Sequence, residues 1–78
     1  MKVYVNIKLK EGVLDPQGKA ISHALHTLGF GNVGEVRVGK RVELDIEASS
    51  KDEAKSAVES MCEMLLANTV IENYDIEI

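Results

Sequence analysis

The chain has 78 residues, a net charge of -4 at pH 7 and one cysteine. Its length predicts a single small domain, residues 1–78, and one cysteine excludes an internal disulfide. The negative charge disfavours nonspecific binding to nucleic acid or to an anionic membrane. No secretory leader and no apolar run long enough to span a bilayer is present, and an unpaired cysteine suits a reducing compartment. We therefore predict a cytoplasmic protein.

The first predicted elements are a strand and a helix. Apolar and polar residues alternate over residues 2–10, KVYVNIKLK, which is typical of a half-buried strand. Asp15 and Pro16 then form a typical helix start, as the N-cap and the first helical residue, and helical spacing continues to about Leu28. Gly18 falls in the first turn, where glycine costs about 1 kcal/mol relative to alanine. Either another backbone passes close to Gly18, or the glycine is simply tolerated.

Two short alternating runs follow, over residues 35–38 and 42–46. They predict two strands joined by a tight turn near Gly39 and Lys40. A one-residue shift in register moves every side chain to the other face of a sheet. For the valines of both strands to face inward, the connection must have an odd number of residues or contain a bulge.

The last predicted elements are a second helix and a final strand. Ser50 and Glu53 form a capping box that opens the helix, and alternation over residues 71–78 predicts the strand. The apolar stripe of this helix that we expect to be buried contains Ala54, Ala57, Val58, Met61, Cys62 and Leu65.

The predicted order of elements is β-α-β-β-α-β, the split βαβ arrangement of ferredoxin-like folds. The expected structure is an α+β two-layer sandwich with a four-stranded antiparallel sheet, strand order 4-1-3-2, and both helices on one face. The opposite sheet face would carry charges of both signs. It is either a solvated face or a surface for a polar partner.

No group of residues indicates catalysis or a metal site. The segment GFGNVG, residues 29–34, matches a dinucleotide motif, but it follows a helix and opens a strand, the reverse of what phosphate binding requires. His23 and His26 are predicted on an exposed helix face without further ligands. Cys62 lies in an apolar stripe without a histidine beside it, so burial is favoured over a nucleophilic role.

Four segments cover most of the chain: KVYVNIKLKEGVLDPQG, HALHTLGF, RVGKRVELDIEA and MCEMLLANTVIENYDIEI. They resemble the PurS family, the small accessory subunits of phosphoribosylformylglycinamidine (FGAM) synthase. GVLDPQG and LLANTVIENY are the most specific segments, and the resemblance extends over essentially the whole sequence. Thr69 departs from the family pattern, which usually has proline there.

The resemblance implies a noncatalytic role in purine biosynthesis. In this family a glutaminase subunit releases ammonia, and a synthetase subunit uses it with ATP to make the amidine. PurS-like subunits are homo-oligomers that help these two subunits assemble and pass ammonia. The implied partners are therefore a second copy, the glutaminase and the synthetase, with no nucleic acid and no membrane. The complex uses ATP, magnesium and glutamine, but the resemblance implies no cofactor on this subunit.

Self-association is also expected from the chain itself. A small domain with no disulfide and no metal site can gain stability by burying surface against a copy. The predicted sheet edges, residues 33–38 and 71–78, contain no proline that would block pairing. We favour the first edge, because its glycines allow close approach. The candidate residues for partner interfaces are Asp15, Pro16, Gln17, Gly18, Gly31, Gly34, Arg37, Lys40 and Arg41.

Other functions of the same fold can be compared with the residues. An RNA-recognition domain needs aromatic residues on its two central strands, and the third predicted strand instead directs Arg41, Glu43, Asp45 and Glu47 outward, which repels phosphate. A copper chaperone needs two cysteines, and an acylphosphatase-like enzyme needs an arginine within residues 10–18, which contain none. The alternative that stays open is a small regulatory domain that binds a ligand at a dimer interface.

Overall fold

The computed structural model describes all residues from 1 to 78. It contains three strands and two helices, and the second helix ends in a single π turn, residues Cys62–Leu66. Neither helix combines the length and hydrophobicity needed to cross a membrane. In chain order the elements are β1 (Lys2–Leu9), α1 (Pro16–Thr27), β2 (Gly39–Asp45), α2 (Lys51–Met61) and β3 (Glu72–Glu77).

The strands form one antiparallel sheet in the order β2-β1-β3, with β1 in the centre. Val3 lies opposite Leu44, and Val5 lies opposite Val42 on one side and Ile76 on the other. Because cross-strand partners share a face, the apolar residues of all three strands point to one layer. The α+β class, the antiparallel sheet and the inward orientation of Val42 and Leu44 are as predicted.

The predicted four-stranded sheet is wrong at its second strand. Residues 33–38 pair with no strand of the chain, and Gly39 and Lys40 lie inside β2 rather than in a tight turn, so the predicted hairpin is absent. The backbone of this segment is engaged elsewhere: the Ser22 hydroxyl donates to the Gly34 carbonyl at 3.2 Å. The alternation of valines is therefore not matched by strand pairing within the single chain.

The core lies between the sheet and α2. Its side chains come from the central strand, from one stripe of α2 and from the residue that follows the π turn. All but one of them are at most 1% exposed, so α2 seals this part of the sheet from solvent. The core residues are Val3, Val5, Ile7, Ala54, Val58, Cys62 and Ala67.

The far end of the second helix differs from the prediction. Met61 is 38% exposed and Leu65 is 83% exposed, although both were expected in the buried stripe with Cys62. In an α-helix, Leu65 would share the face of Cys62, three residues earlier. The π turn, closed by the Ala67 N–H and the Cys62 carbonyl at 3.1 Å, widens the helix. Leu66 takes the inward position instead.

The first helix stands apart from the core. α1 buries a single residue, Gly18, and has no contact with the sheet comparable to that of α2. The expectation that both helices cover one sheet face therefore holds for α2 only. The radius of gyration is 16.0 Å, and the molecule is 51 Å long, whereas a compact domain of this size has a radius of gyration of about 11.5 Å. We call residues 16–38 the arm and the remainder the body.

Candidate functional site

The base of the arm is organised around the Asp15 carboxylate. Oδ1 accepts the backbone N–H of Gly18 at 2.8 Å, and Oδ2 accepts the backbone N–H of Val38 at 2.8 Å. One side chain thus caps α1, as predicted, and also holds the residue before β2. Asp15 is only 5% exposed. These two hydrogen bonds lower the pKa of the Asp15 carboxyl below its usual value, and the bond from Val38 has the larger effect.

Arg37 fixes the other side of the same junction. Its guanidinium donates to the carbonyl oxygens of Val13 and Lys10, each at 3.0 Å, and to that of Leu9 at 3.5 Å. All three acceptors belong to the end of β1 and the loop before α1. Arg37 therefore ties the returning segment of the arm to the loop from which the arm starts.

Gly18 is the point of closest backbone packing in the arm. A Cβ atom built on Gly18 would lie 2.1 Å from the carbonyl oxygen of Val36 and 2.9 Å from its carbonyl carbon. No side chain fits there unless the backbone moves. The hypothesis that another backbone passes close to Gly18 is confirmed, and that backbone belongs to the same chain.

A solvent-open cleft of about 300 Å³ lies beside this junction. Asp15 and Arg37 contribute to its wall, but their polar atoms already bind backbone groups. Lys19 and Glu35 are the remaining charged side chains of the wall, and their charges are opposite. The cleft therefore offers a ligand no concentrated charge of either sign.

The structure brings together only part of the predicted interface set. Three of those residues hold the base of the arm: Asp15, Gly18 and Arg37. The other six are exposed, but they are spread over the helix start, the turn of the arm and β2. They are Pro16, Gln17, Gly31, Gly34, Lys40 and Arg41.

The outer face of the sheet is a network of paired charges. The Arg41 guanidinium lies 4.2 Å from the centroid of the Tyr4 ring and 2.8 Å from Glu77 Oε2. Asn6 Nδ2 donates to the carboxylates of both Asp75 and Glu77. Each of these charges has an opposite or polar neighbour, which favours the interpretation of a solvated face.

Two groups of exposed apolar side chains were missed by the sequence analysis. In the arm they include Ile21, Leu28 and Phe30, and in the body they lie at the end of α2 and in the loop before β3. The helical spacing of α1 did identify its apolar side. Spacing alone could not reveal that this side is uncovered in the single chain.

No three His, Cys, Asp or Glu side chains are grouped so that they could hold a metal ion. His26 Nε2 lies 2.6 Å from the Val33 carbonyl oxygen, within the arm. Cys62 is completely buried, as predicted, and this burial raises the pKa of its thiol.

A small α+β body with a projecting arm and large exposed apolar side chains is typical of a subunit that assembles with other chains. The family described as PurS, phosphoribosylformylglycinamidine (FGAM) synthase, matches residues 2–78. The chain belongs to the PurS family, which confirms the resemblance seen in the sequence.

Similar proteins are found in bacteria and archaea. The Bacillus subtilis (strain 168) phosphoribosylformylglycinamidine synthase subunit PurS is 54% identical over 77 residues, which cover 99% of this chain and 90% of that protein. The Methanocaldococcus jannaschii subunit PurS is 47% identical over 77 residues, covering 99% and 93%.

Solved structures show the same fold. B. subtilis PurS superposes with a TM-score of 0.87 at 55% identity, covering 97% of this chain and 94% of that chain. A chain in the structure of PurLQS from Thermotoga maritima superposes with a TM-score of 0.90 at 33% identity, covering 97% and 93%.

Proposed function

We propose that this chain is the noncatalytic accessory subunit of FGAM synthase in de novo purine biosynthesis. It assembles the glutaminase and the ATP-dependent synthetase subunits and aids ammonia transfer between them. The observation that supports this most is membership of the PurS family over residues 2–78, together with similarity along 97% of the chain to a chain of the T. maritima PurLQS structure.

The chemistry of the side chains supports a noncatalytic role. The thiol of Cys62 is completely buried and cannot reach a substrate. The best-organised polar groups, Asp15 and Arg37, bind backbone atoms of their own chain. We propose that the subunit binds no cofactor of its own, while the complex uses ATP, magnesium and glutamine.

The test is reconstitution with the two partner subunits. Copurification is measured with and without glutamine and ADP, and glutamine-dependent formation of the amidine is measured with and without this chain. We expect a ternary complex and a glutamine-dependent activity that requires this chain, which alone shows neither glutaminase nor ATPase activity. Turnover by the chain alone, abolished by a point substitution in it, would contradict the noncatalytic role.

We infer in addition that the subunit is at least a dimer. The support is that a single chain leaves two apolar surfaces uncovered. The arm exposes Ile21 and Leu28, while on β2 the inward-facing Val42 and Leu44 stay half-buried. α2 does not cover that side because its end lies over β3, where the Tyr74 hydroxyl donates to Glu63 at 2.8 Å.

An arm contributed by a second copy fits both surfaces. Its α1 would lie on the inner face of β2, next to α2, so that two helices cover one face. Residues 33–38 of that arm would run beside the free edge of β2 and supply the fourth strand of the ferredoxin-like order. In this arrangement the predicted edge, residues 33–38, is an interface as expected, but each copy contributes this strand to the sheet of its partner.

Sedimentation of the wild type and a Leu28→Ser variant tests this inference. Leu28 is 72% exposed in the single chain, so serine leaves the isolated fold intact. We expect a dimer or larger assembly for the wild type and about a tenfold weaker association for the variant. A monomeric wild type at micromolar concentration rules the inference out.

We also propose a cytoplasmic location, supported by a single unpaired cysteine; subcellular fractionation checks this.

The alternative function, a regulatory domain that binds a small molecule at a dimer interface, has weaker support because the cleft at the arm offers no concentrated charge. Calorimetry against amino acids and nucleotides distinguishes it from the assembly role.

A further inference from the structure

The charges of the chain are distributed unevenly along the sequence. All nine lysine and arginine residues precede Ser56, so residues 56–78 contain no basic side chain. The five carboxylates of this segment belong to Glu59, Glu63, Glu72, Asp75 and Glu77. The last part of the body is therefore acidic, although the chain as a whole has a net charge of only -4.

The most exposed large apolar side chains lie in this same acidic segment. Met64, Leu65 and Val70 are each more than four-fifths exposed, more than any other large apolar residue of the chain. We call these three residues the C-terminal surface. Large exposed apolar groups rimmed by charge mark interaction sites more often than ordinary solvent-facing surface.

The backbone under the C-terminal surface is ordered by hydrogen bonds. The π turn is closed between Ala67 and Cys62, and Cys62 is completely buried. In the following loop, the Asn68 carbonyl accepts the N–H groups of Ile71 at 3.0 Å and Glu72 at 2.7 Å. The exposed side chains are thus held on a fixed frame, which limits the entropy lost on binding.

The π turn is also the reason that Leu65 faces solvent. A regular α-helix would direct Leu65 to the buried stripe, whereas the wider turn places Leu66 there and leaves Leu65 outside. π turns are rare and occur frequently at functional sites. The local geometry therefore exposes apolar surface that a regular helix would have buried.

We propose that the C-terminal surface docks a non-identical subunit, through a contact with an apolar centre flanked by lysine and arginine side chains. This inference rests on the proposed function, because it assigns one of the two partner subunits of FGAM synthase to a defined surface. The carboxylates of Glu59, Glu63 and Glu72 supply the charge that a basic rim complements, and Lys10, which lines the same cleft as Glu63 and Glu72, offsets one of them.

Charge also disfavours a symmetric contact with a second copy at this surface. A symmetric contact would bring the carboxylates of Glu59 and Glu63 towards their own counterparts, which is repulsive. The arm of a second copy supplies at most one unbalanced positive charge: Lys19 is offset by Glu35, and the Arg37 guanidinium is bound to three carbonyls of its own chain.

The experiment uses a Met64→Ser/Leu65→Ser double variant and a Glu59→Lys variant, with Glu47→Lys as the matched control. Glu47 is an exposed carboxylate outside the acidic segment. Binding to the separately purified glutaminase and synthetase subunits is measured at low and high salt. Oligomeric mass is measured by sedimentation, and folding by thermal unfolding.

We expect the double variant to bind one partner subunit at least about tenfold more weakly, with unchanged mass and folding. Glu59→Lys should weaken the same contact, most strongly at low salt, where charge is least screened, whereas Glu47→Lys should not. Unchanged affinity of the double variant for both partners overturns the inference. A loss of oligomeric mass also overturns it, because the occupant is then a second copy. A wild type that binds neither partner overturns the proposed function itself.

Discussion

The Asp15 carboxylate and the backbone N–H of Val38 are joined by a 2.8 Å hydrogen bond across 23 residues of sequence. The same carboxylate caps the first turn of α1 through Gly18. A single buried side chain therefore determines both where the arm leaves the body and where it returns. The direction of the arm depends on this contact and on Arg37 beside it.

Asp15→Ala is expected to destabilise the protein. The substitution leaves the N–H groups of Gly18 and Val38 without their acceptor, and loss of an N-cap in a domain of this size lowers Tm by roughly 5–10 °C. Differential scanning calorimetry measures the change. Asp45→Ala is the control, because that side chain is 84% exposed and pairs only with the N-terminus at 3.5 Å. An equal loss in both variants would show that Asp15 has no special role.

The contribution of Asp15 should also depend on pH. Its pKa is lowered in the folded chain by the hydrogen bonds from Val38 and Gly18, so folding favours the ionised carboxylate. The stabilisation is fully present above the unfolded pKa, about 3.9, and is lost as the pH falls through the lower folded value. The difference in Tm between the wild type and Asp15→Asn should shrink in that acidic range and stay constant above it.

Gly18→Ala should destabilise the protein although it lies in a helix. Alanine normally stabilises a helix by about 1 kcal/mol relative to glycine, but here its Cβ would meet the Val36 backbone at 2.1 Å. We expect a net loss of about 1–3 kcal/mol in the free energy of unfolding, as for overpacked sites. Urea unfolding measures it. Gly34→Ala, where a Cβ meets nothing within 4 Å, serves as the control.

Tyr74 should titrate at unusually high pH. Its hydroxyl donates to the Glu63 carboxylate, and this bond raises the pKa of Tyr74 to about 12. Since the folded pKa is raised, the stabilisation is present below the unfolded pKa, about 10, and is lost as the pH rises through the folded value. Ultraviolet titration of phenolate in a Tyr4→Phe background isolates Tyr74. Adding Glu63→Gln should bring its pKa back towards 10, and an unmoved titration would exclude the hydrogen bond.

Thermal stability should rise with protein concentration if a second copy covers the arm. A partner that binds only the folded chain stabilises it by mass action. We therefore expect Tm to increase over a dilution series of the wild type and to vary much less for Leu28→Ser. A Tm that is independent of concentration in the wild type would contradict self-association.

Local signals in the sequence predicted the local structure well. Alternation located β1, Asp15 and Pro16 located the start of α1, and Ser50 caps α2 by accepting the Glu53 N–H at 3.1 Å. These features depend on residues close together in the chain. Because their causes are local, these features could be predicted without knowledge of the packing.

The errors concern features that depend on distant groups. The alternation of residues 35–38 fits a strand, but the Val38 N–H binds Asp15, and no strand of the same chain lies beside this segment. The spacing of Leu65 fits a buried α-helical position, but a π turn intervenes. Neither long-range acceptors nor a change of helix type can be read from hydrophobic periodicity.

The bonds of Arg37 have a consequence for the divergence of related sequences. Its three acceptors are main-chain carbonyls, and the donors to Asp15 are main-chain amides. Every amino acid supplies a carbonyl, and every one except proline supplies an amide. Substitutions at Leu9, Lys10 and Val13 therefore leave the anchoring groups in place. The loop at the base of the arm can change its surface chemistry freely while the arm keeps its direction.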